Sequence, residues 1–224
     1  MSLTLYTHPL ASYCHKVLIA LYEHGIECDK RIVNLGDAAE RAELAALWRF
    51  AKFPVLRDHA HGRDVAESSI IIEYVDHHFV VAHPMIPGDR DAALEVRLWD
   101  RIFDNHVQGP MQQIVGDRLR SARGDKCGDM SGERSTLKTA YAMIDRHMAG
   151  RAWVAGQDFS MADCAAVPAL FYAVTLEPFP DGAGHLKAYF DRLMERPSVQ
   201  RVMEEAKPFF SFYPFADGIL ERFG

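Results

Sequence analysis

The feature that most constrains this chain is a change of patterning at His83-Pro84-Met85-Ile86-Pro87-Gly88. Two prolines and a glycine within six residues suit a linker and interrupt helix or strand. Ahead of this point, short β-prone segments interleave with helical ones; beyond it the strands stop. Leu3-Thr4-Leu5-Tyr6-Thr7 alternates and predicts a strand. Val17, Leu18, Ala20 and Leu21 then recur at helical spacing between Ser12 and His24, with Gly25 as C-cap. A second strand is expected over 28–33, and an Ala-, Glu- and Leu-rich helix from Asp37 to about Phe50, running on toward Lys52. Strands over 53–58 and 63–66 flank a turn at Gly62, and a helix over 67–78 carries Ile70, Ile71, Tyr74 and Val75 on one face. A strand–helix–strand opening implies a parallel pair, and the hairpin adds antiparallel strands. The expected architecture is a thioredoxin-like α/β domain over 1–80, a linker over 81–90 and an all-α domain over 91–224. Helices of the second domain are expected over 89–106, 111–123, 131–148, 160–175, 184–195 and 199–206.

At 224 residues the chain is long enough for a sizeable core in either one large or two small domains. Residues 1–80 hold eight basic and eleven acidic side chains, the rest seventeen and twenty. No basic face or tail points to nucleic acid. Cys14, Cys28, Cys127 and Cys164 show neither CxxC nor zinc-ligand spacing. His59, His61, His77, His78 and His83 form no i, i+4 pair with a nearby acid on a clear helix face, so no metal is expected. There is no apolar run of membrane-spanning length and no secretory leader, and a cytoplasmic location with reduced thiols is expected.

Four short stretches carry candidate chemistry. Phe53-Pro54 heads a strand; a cis proline there would present its neighbour's backbone N–H and C=O to an extended peptide. Glu67-Ser68 opens a helix, where Ser68 is expected as N-cap. The same pair suits an amino acid: helix amides and hydroxyl for the carboxylate, Glu67 for the ammonium. Phe159-Ser160-Met161-Ala162-Asp163 reads as a capping box, with Phe159 and Cys164 as its staple. In His8-Pro9-Leu10-Ala11-Ser12-Tyr13-Cys14, Cys14 is either a thiol activated by the helix dipole or a small packed side chain. Ser12 is either the N-cap of its helix or a donor to a thiolate lying over that helix.

Taken together, "HPLASYCHKVLIAL", "KFPVL", "ESSIIIEYVD", the Pro-rich linker and "DFSMADCAAVPAL" resemble the cytosolic glutathione transferases of bacterial, Ser-using type. The resemblance spans almost the whole chain and implies a glutathione-binding first domain and a helical domain shaping a pocket for a hydrophobic electrophile. It places the cis proline on Pro54, the cysteinyl-binding backbone on Phe53, the γ-glutamyl clamp on Glu67 and Ser68, and a glycyl-carboxylate contact on Lys52. It makes the reactive group the sulfur of glutathione, with Ser12 as the catalytic donor and Thr7 in reserve. The hydroxyl position of many bacterial relatives falls on Ala11, one residue ahead of Ser12. Phe103, His106 and Met111, with Phe209, Phe210, Phe212 and Tyr213, are candidates for the electrophile pocket. A homodimer is implied. The competing readings are a non-catalytic glutathione-binding scaffold or sensor, and a glutathione-dependent reductase or peroxidase using Cys14.

Overall fold

A computed structural model describes residues 2–219, so the last five residues of the expected helical domain lie outside it. Its internal contacts divide the chain into two compact units, Met1–Ile86 and Pro87–Gly224.

The first unit is a four-stranded mixed sheet with helices on both faces. Strand β1 (Leu3–Thr7) is central; β2 (Asp29–Ile32) runs parallel to it on one side. On the other side β3 (Val55–Asp58) and then β4 (Arg63–Ala66) each run antiparallel to their neighbour, giving the order β2-β1-β3-β4. Tyr6, Val33, Leu44 and Val55 form a core against one sheet face, with Trp48, Phe53 and Ala66 packed on it. Leu44 belongs to helix α2 (Ala38–Leu47). The side-chain alternation of β1 sends Leu3, Leu5 and Thr7 to the opposite face. Helices α1 (Ser12–Glu23) and α3 (Ser68–His78) bury their apolar sides in this unit, through Val17, Leu18, Ile19, Ile71, Ile72 and Val75. The arrangement is thioredoxin-like.

Several expected boundaries shift. Helix α2 stops at Leu47 rather than near Phe50: Trp48 turns extended to reach the core, and Ala51 takes a positive φ of 49°. The strands expected over 28–33 and 53–58 are shorter by one or two residues at their ends. Neither Ser12 nor Ser68 is an N-cap. Ala11 and Glu67 hold those positions without side-chain bonds, and each serine is the first residue of its helix.

The second unit is helical. The helices expected over 89–106 and 111–123 join into one rod: α4 (Arg90–Ile102), a π-helical turn (Phe103–Gln108) and α5 (Gly109–Ser121). The join carries Gly109-Pro110, a pair that disfavours continuous α-helix. The wide turn, in which the Gly109 N–H reaches back to the Asp104 carbonyl, lets the rod accept a ring that lacks an N–H. Helices α6 (Ser131–His147), α7 (Met161–Ala173), α8 (Gly184–Met194) and α9 (Pro197–Ala206) complete the unit. Every residue of α7 is buried, which makes it the axis of the core. Its capping box is present. The Asp163 carboxylate accepts the Ser160 N–H and hydroxyl, each at 3.0 Å. Phe159 packs edge-on to Trp153, with the Arg196 guanidinium 4.0 Å from its ring centre.

Candidate functional site

Sheet register brings the candidate residues of the first unit to one end. Tyr6 pairs with Val55, and Val55 with Ala66. Because β1 and β4 are both antiparallel to β3, three chain segments meet at this end. They are the exit from β1 through His8–Ala11 into α1, the approach to β3 through Lys52-Phe53-Pro54, and the exit from β4 through Glu67 into α3. The Phe53–Pro54 peptide is cis. Residues as far apart in sequence as Tyr6 and Ala66 thus come to one end through two rungs of hydrogen bonding.

The N-termini of α1 and α3 open at this end, each with first-turn amides and a partial positive charge. The two helices are tied together by Lys16, whose Nζ donates to Ser69 Oγ at 2.9 Å. Lys16 is only 1 % exposed, so its amine lies buried one turn below Ser12 and beside the first turn of α3. Lys52 is exposed, and Phe53 is half-buried. Glu67 is exposed and holds φ 69°, ψ 119°, a region that costs a non-glycine residue about 1–3 kcal/mol. Such strain is sustained where the surrounding fold requires a particular side-chain placement. Ser68 follows it, buried at the first position of α3. An exposed carboxylate beside helix amides and a buried hydroxyl suits a zwitterionic amino-acid group.

The loop from β1 to α1 is held by its own groups. Nε2 of His15 donates to the Pro9 carbonyl at 2.6 Å, and the Ala11 N–H to the His8 carbonyl at 2.9 Å. His8 itself stacks on Phe53, ring centres 5.8 Å apart and planes inclined by 12°. Burial lowers the His8 pKa below 6.5, so its ring is neutral at neutral pH. Ser12 is 3 % exposed. Thr7 is buried as well, and its hydroxyl finds no hydrogen-bond partner among the described residues.

Cys14 is fully buried, and desolvation pushes its thiol up to about 12. The packing role describes it, and the dipole of α1 does not activate it. Treatment with glutathione disulfide near pH 8 is expected to leave Cys14 unmodified and to label the exposed Cys127. Peptide mass spectrometry reads both sites, and a mixed disulfide on Cys14 would refute the assignment.

In the second unit, Phe103 and Met111 are buried in the helical core, Phe103 beside Trp99 at 6.1 Å, whereas His106 on the same π turn is exposed. Phe210 and Tyr213 pack on Phe171 and Tyr172, and Phe212 is exposed. Among the described residues no group of three or more His, Cys, Asp or Glu side chains converges as for a metal ion. No helix there is long and apolar enough to cross a membrane.

Sequence reasoning assigned no role to Lys16 or His8. Neither carries a motif, and their partners Ser69 and Phe53 lie more than forty residues away.

Known proteins match this arrangement. The family model for the N-terminal domain of glutathione S-transferase matches residues 5–84, and that for the C-terminal domain matches residues 131–197. The chain is similar to a stringent starvation protein A homolog of Coxiella burnetii, 27 % identical over 210 residues covering 92 % of this chain and 93 % of that protein. Among solved structures it is similar to a glutathione S-transferase from Methylobacillus flagellatus with glutathione bound, at TM-score 0.75 and 26 % identity, covering 90 % and 98 % of the two chains. A glutathione S-transferase from Methylobacterium radiotolerans in complex with glutathione sulfonate gives TM-score 0.77 and 25 % identity, covering 89 % and 93 %. With its thioredoxin-like sheet, its helical second unit and both halves matched in order, the chain belongs to the glutathione transferase family.

Proposed function

We propose that this protein binds glutathione in its first unit and transfers the glutathione sulfur to a hydrophobic electrophile. The observation that carries this reading is the meeting of two helix N-termini, the Phe53–Pro54 approach and the Glu67–Ser68 pair at one end of the sheet. Glutathione supplies the matching groups. Its γ-glutamyl ammonium faces Glu67 and its α-carboxylate faces Ser68 with the α3 amides. Its cysteinyl backbone pairs with Phe53 beside Pro54, and Lys52 reaches its glycyl carboxylate. Two relatives crystallised with glutathione or its sulfonate support the same ligand.

Catalysis then consists of keeping the bound sulfur as thiolate. A hydroxyl hydrogen bond to a charged acceptor contributes roughly 1.5–3 kcal/mol. The α1 terminus adds about 0.3–1 kcal/mol. Together they lower the thiol pKa by about one to three. The thiolate electron pair forms the S–C bond, and the displaced group leaves with its own bonding pair or, in an addition, the carbon's π pair moves outward and is protonated. Ser12, by hydroxyl or backbone N–H, is the assigned donor. The helical unit shapes the electrophile site, for which His106 is exposed while Phe103 and Met111 support it from the core. Exposed Phe50, Leu94 and Leu98, at 70 %, 63 % and 58 %, are surface apolar groups that a homodimer would cover. A cytoplasmic setting accords with four cysteines that form no disulfide.

An ultraviolet titration of bound glutathione against pH tests the reading. A thiol pKa clearly below that of free glutathione supports it, with Ser12→Ala losing conjugation while keeping glutathione affinity. Unchanged turnover in Ser12→Ala removes Ser12 from its role. Binding with an unshifted thiol favours the second reading, a glutathione-binding scaffold. That reading draws on Ala11, which lacks the hydroxyl, and on the similarity to a protein named for starvation rather than for a transferase reaction.

A further inference from the structure

A thiolate accepts more than one hydrogen bond, so a second donor can act beside Ser12. Ala11 offers no hydroxyl, and Ser12, the donor assigned above, is 3 % exposed. The loop between β1 and α1 contains another candidate. His8 is the first residue past β1, and its ring is half-buried. It lies nearly parallel to Phe53, whose backbone the glutathione reading pairs with the cysteinyl part of the ligand. Nδ1 of His8 accepts the Leu10 N–H at 3.2 Å. An imidazole nitrogen that accepts a hydrogen bond carries no proton, so the ring proton is assigned to Nε2. The stack fixes the plane of the ring, and the Leu10 contact fixes its tautomer. Lowering of its pKa by burial keeps that neutral form present at neutral pH. The result is an oriented N–H donor beside the residue that holds the reacting part of the ligand.

His15, one turn into α1, cannot take this part. It is 1 % exposed, and its Nε2 already donates to the Pro9 carbonyl. It shapes the loop that carries His8.

We propose that His8 donates its Nε2–H to the sulfur of bound glutathione and so stabilises the thiolate alongside the first turn of α1. This rests on the glutathione reading above. The imidazole keeps its proton throughout; the thiol proton passes to water as the thiolate forms, and no bond at His8 is made or broken. The role differs from that of a general base, because the donor acts on the charged sulfur after its proton has left.

The test compares the parent with His8→Phe and His8→Gln in the full chain. Phenylalanine keeps a ring to stack on Phe53 but has no donor; glutamine restores an N–H. The readout is the pKa of bound glutathione, followed by thiolate absorbance. In His8→Phe the bound thiol pKa is expected to rise by about one to two above the parent value, with glutathione affinity changed less than about threefold. His8→Gln is expected to recover part of the difference. A parent that lowers the thiol pKa, with His8→Phe lowering it equally, overturns the role of His8 and leaves glutathione activation standing. A parent that leaves the thiol at its free value overturns the activation reading and this proposal with it. A second measurement needs no substitution in the site. In the unaltered protein with nitrogen-15 histidine, saturating glutathione is expected to move the His8 Nε2–H resonance. S-methylglutathione, whose sulfur cannot ionise, is expected to move it much less. An unmoved resonance with glutathione bound, or equal movement with both ligands, overturns the proposal.

Discussion

Replacing Asp163 by alanine is expected to lower stability by about 3 kcal/mol or more, a drop in Tm on the order of 10 °C. The carboxylate accepts four hydrogen bonds in a fully buried setting. Ser160 contributes its N–H and hydroxyl, the Val154 N–H lies at 3.1 Å and the Tyr189 hydroxyl at 2.6 Å. Alanine leaves these donors buried without an acceptor, and each orphan costs about 1–3 kcal/mol. The effect is large because one side chain joins three elements. It caps α7, the axis of the helical unit, and it holds the chain before α7 and the side of α8.

The same residue predicts a pH dependence. Desolvation raises the Asp163 pKa to about 6, against hydrogen bonds from Tyr189, Val154 and Ser160 that lower it. The folded value lies above the unfolded one near 4, so the folded state binds the proton more tightly. This contribution is fully present below about pH 4 and is lost as pH rises through about 6. Asp163→Asn cannot titrate. The stability difference between parent and Asp163→Asn is therefore expected to fall from pH 4 to about 6.5 and then stay level. Denaturant melts across that range measure it. A difference that rises with pH would mean that the hydrogen bonds outweigh desolvation and that the folded pKa lies below 4.

Glu67→Gly is expected to raise stability by about 1 kcal/mol and to weaken glutathione binding by roughly tenfold or more. The two effects have separate causes. At φ 69° a side chain strains the backbone, and glycine removes that strain. Part of the gain is offset by the greater freedom of glycine in the unfolded chain. The affinity falls because the carboxylate assigned to the γ-glutamyl ammonium is gone. Thermal melts and isothermal titration calorimetry separate the cases. Higher stability with unchanged affinity would take Glu67 out of the ligand site. Lower stability would mean that the carboxylate supports the fold.

The site was legible where local pattern carries it. Phe53-Pro54 marked a cis bond, and Glu67-Ser68 marked a helix start suited to an amino-acid group. The capping box at Ser160 and Asp163 could be read because its chemistry lies within one helical turn. Ser68 was expected as an N-cap and Ser12 had the N-cap as one of two readings, and neither residue is one. Serine preference describes the average helix start, whereas here Ala11 and Glu67 take the cap positions and the serines are the buried first residues of their helices. The rod from α4 to α5 was divided between His106 and Met111, because a π turn leaves no compositional mark.

By itself the sequence determined the division into a strand-bearing part and a helical part, the order of elements in each and the family to which they point. Those properties rest on hydrophobic period and turn chemistry, which act over a few residues. Only the tertiary structure decided that Cys14 is an inert packed thiol, that Lys16 lies buried at Ser69, and that His8 stacks on Phe53 with its proton on Nε2. Burial, stacking and tautomer depend on neighbours brought in by sheet register from forty or more residues away, and no local window contains both partners.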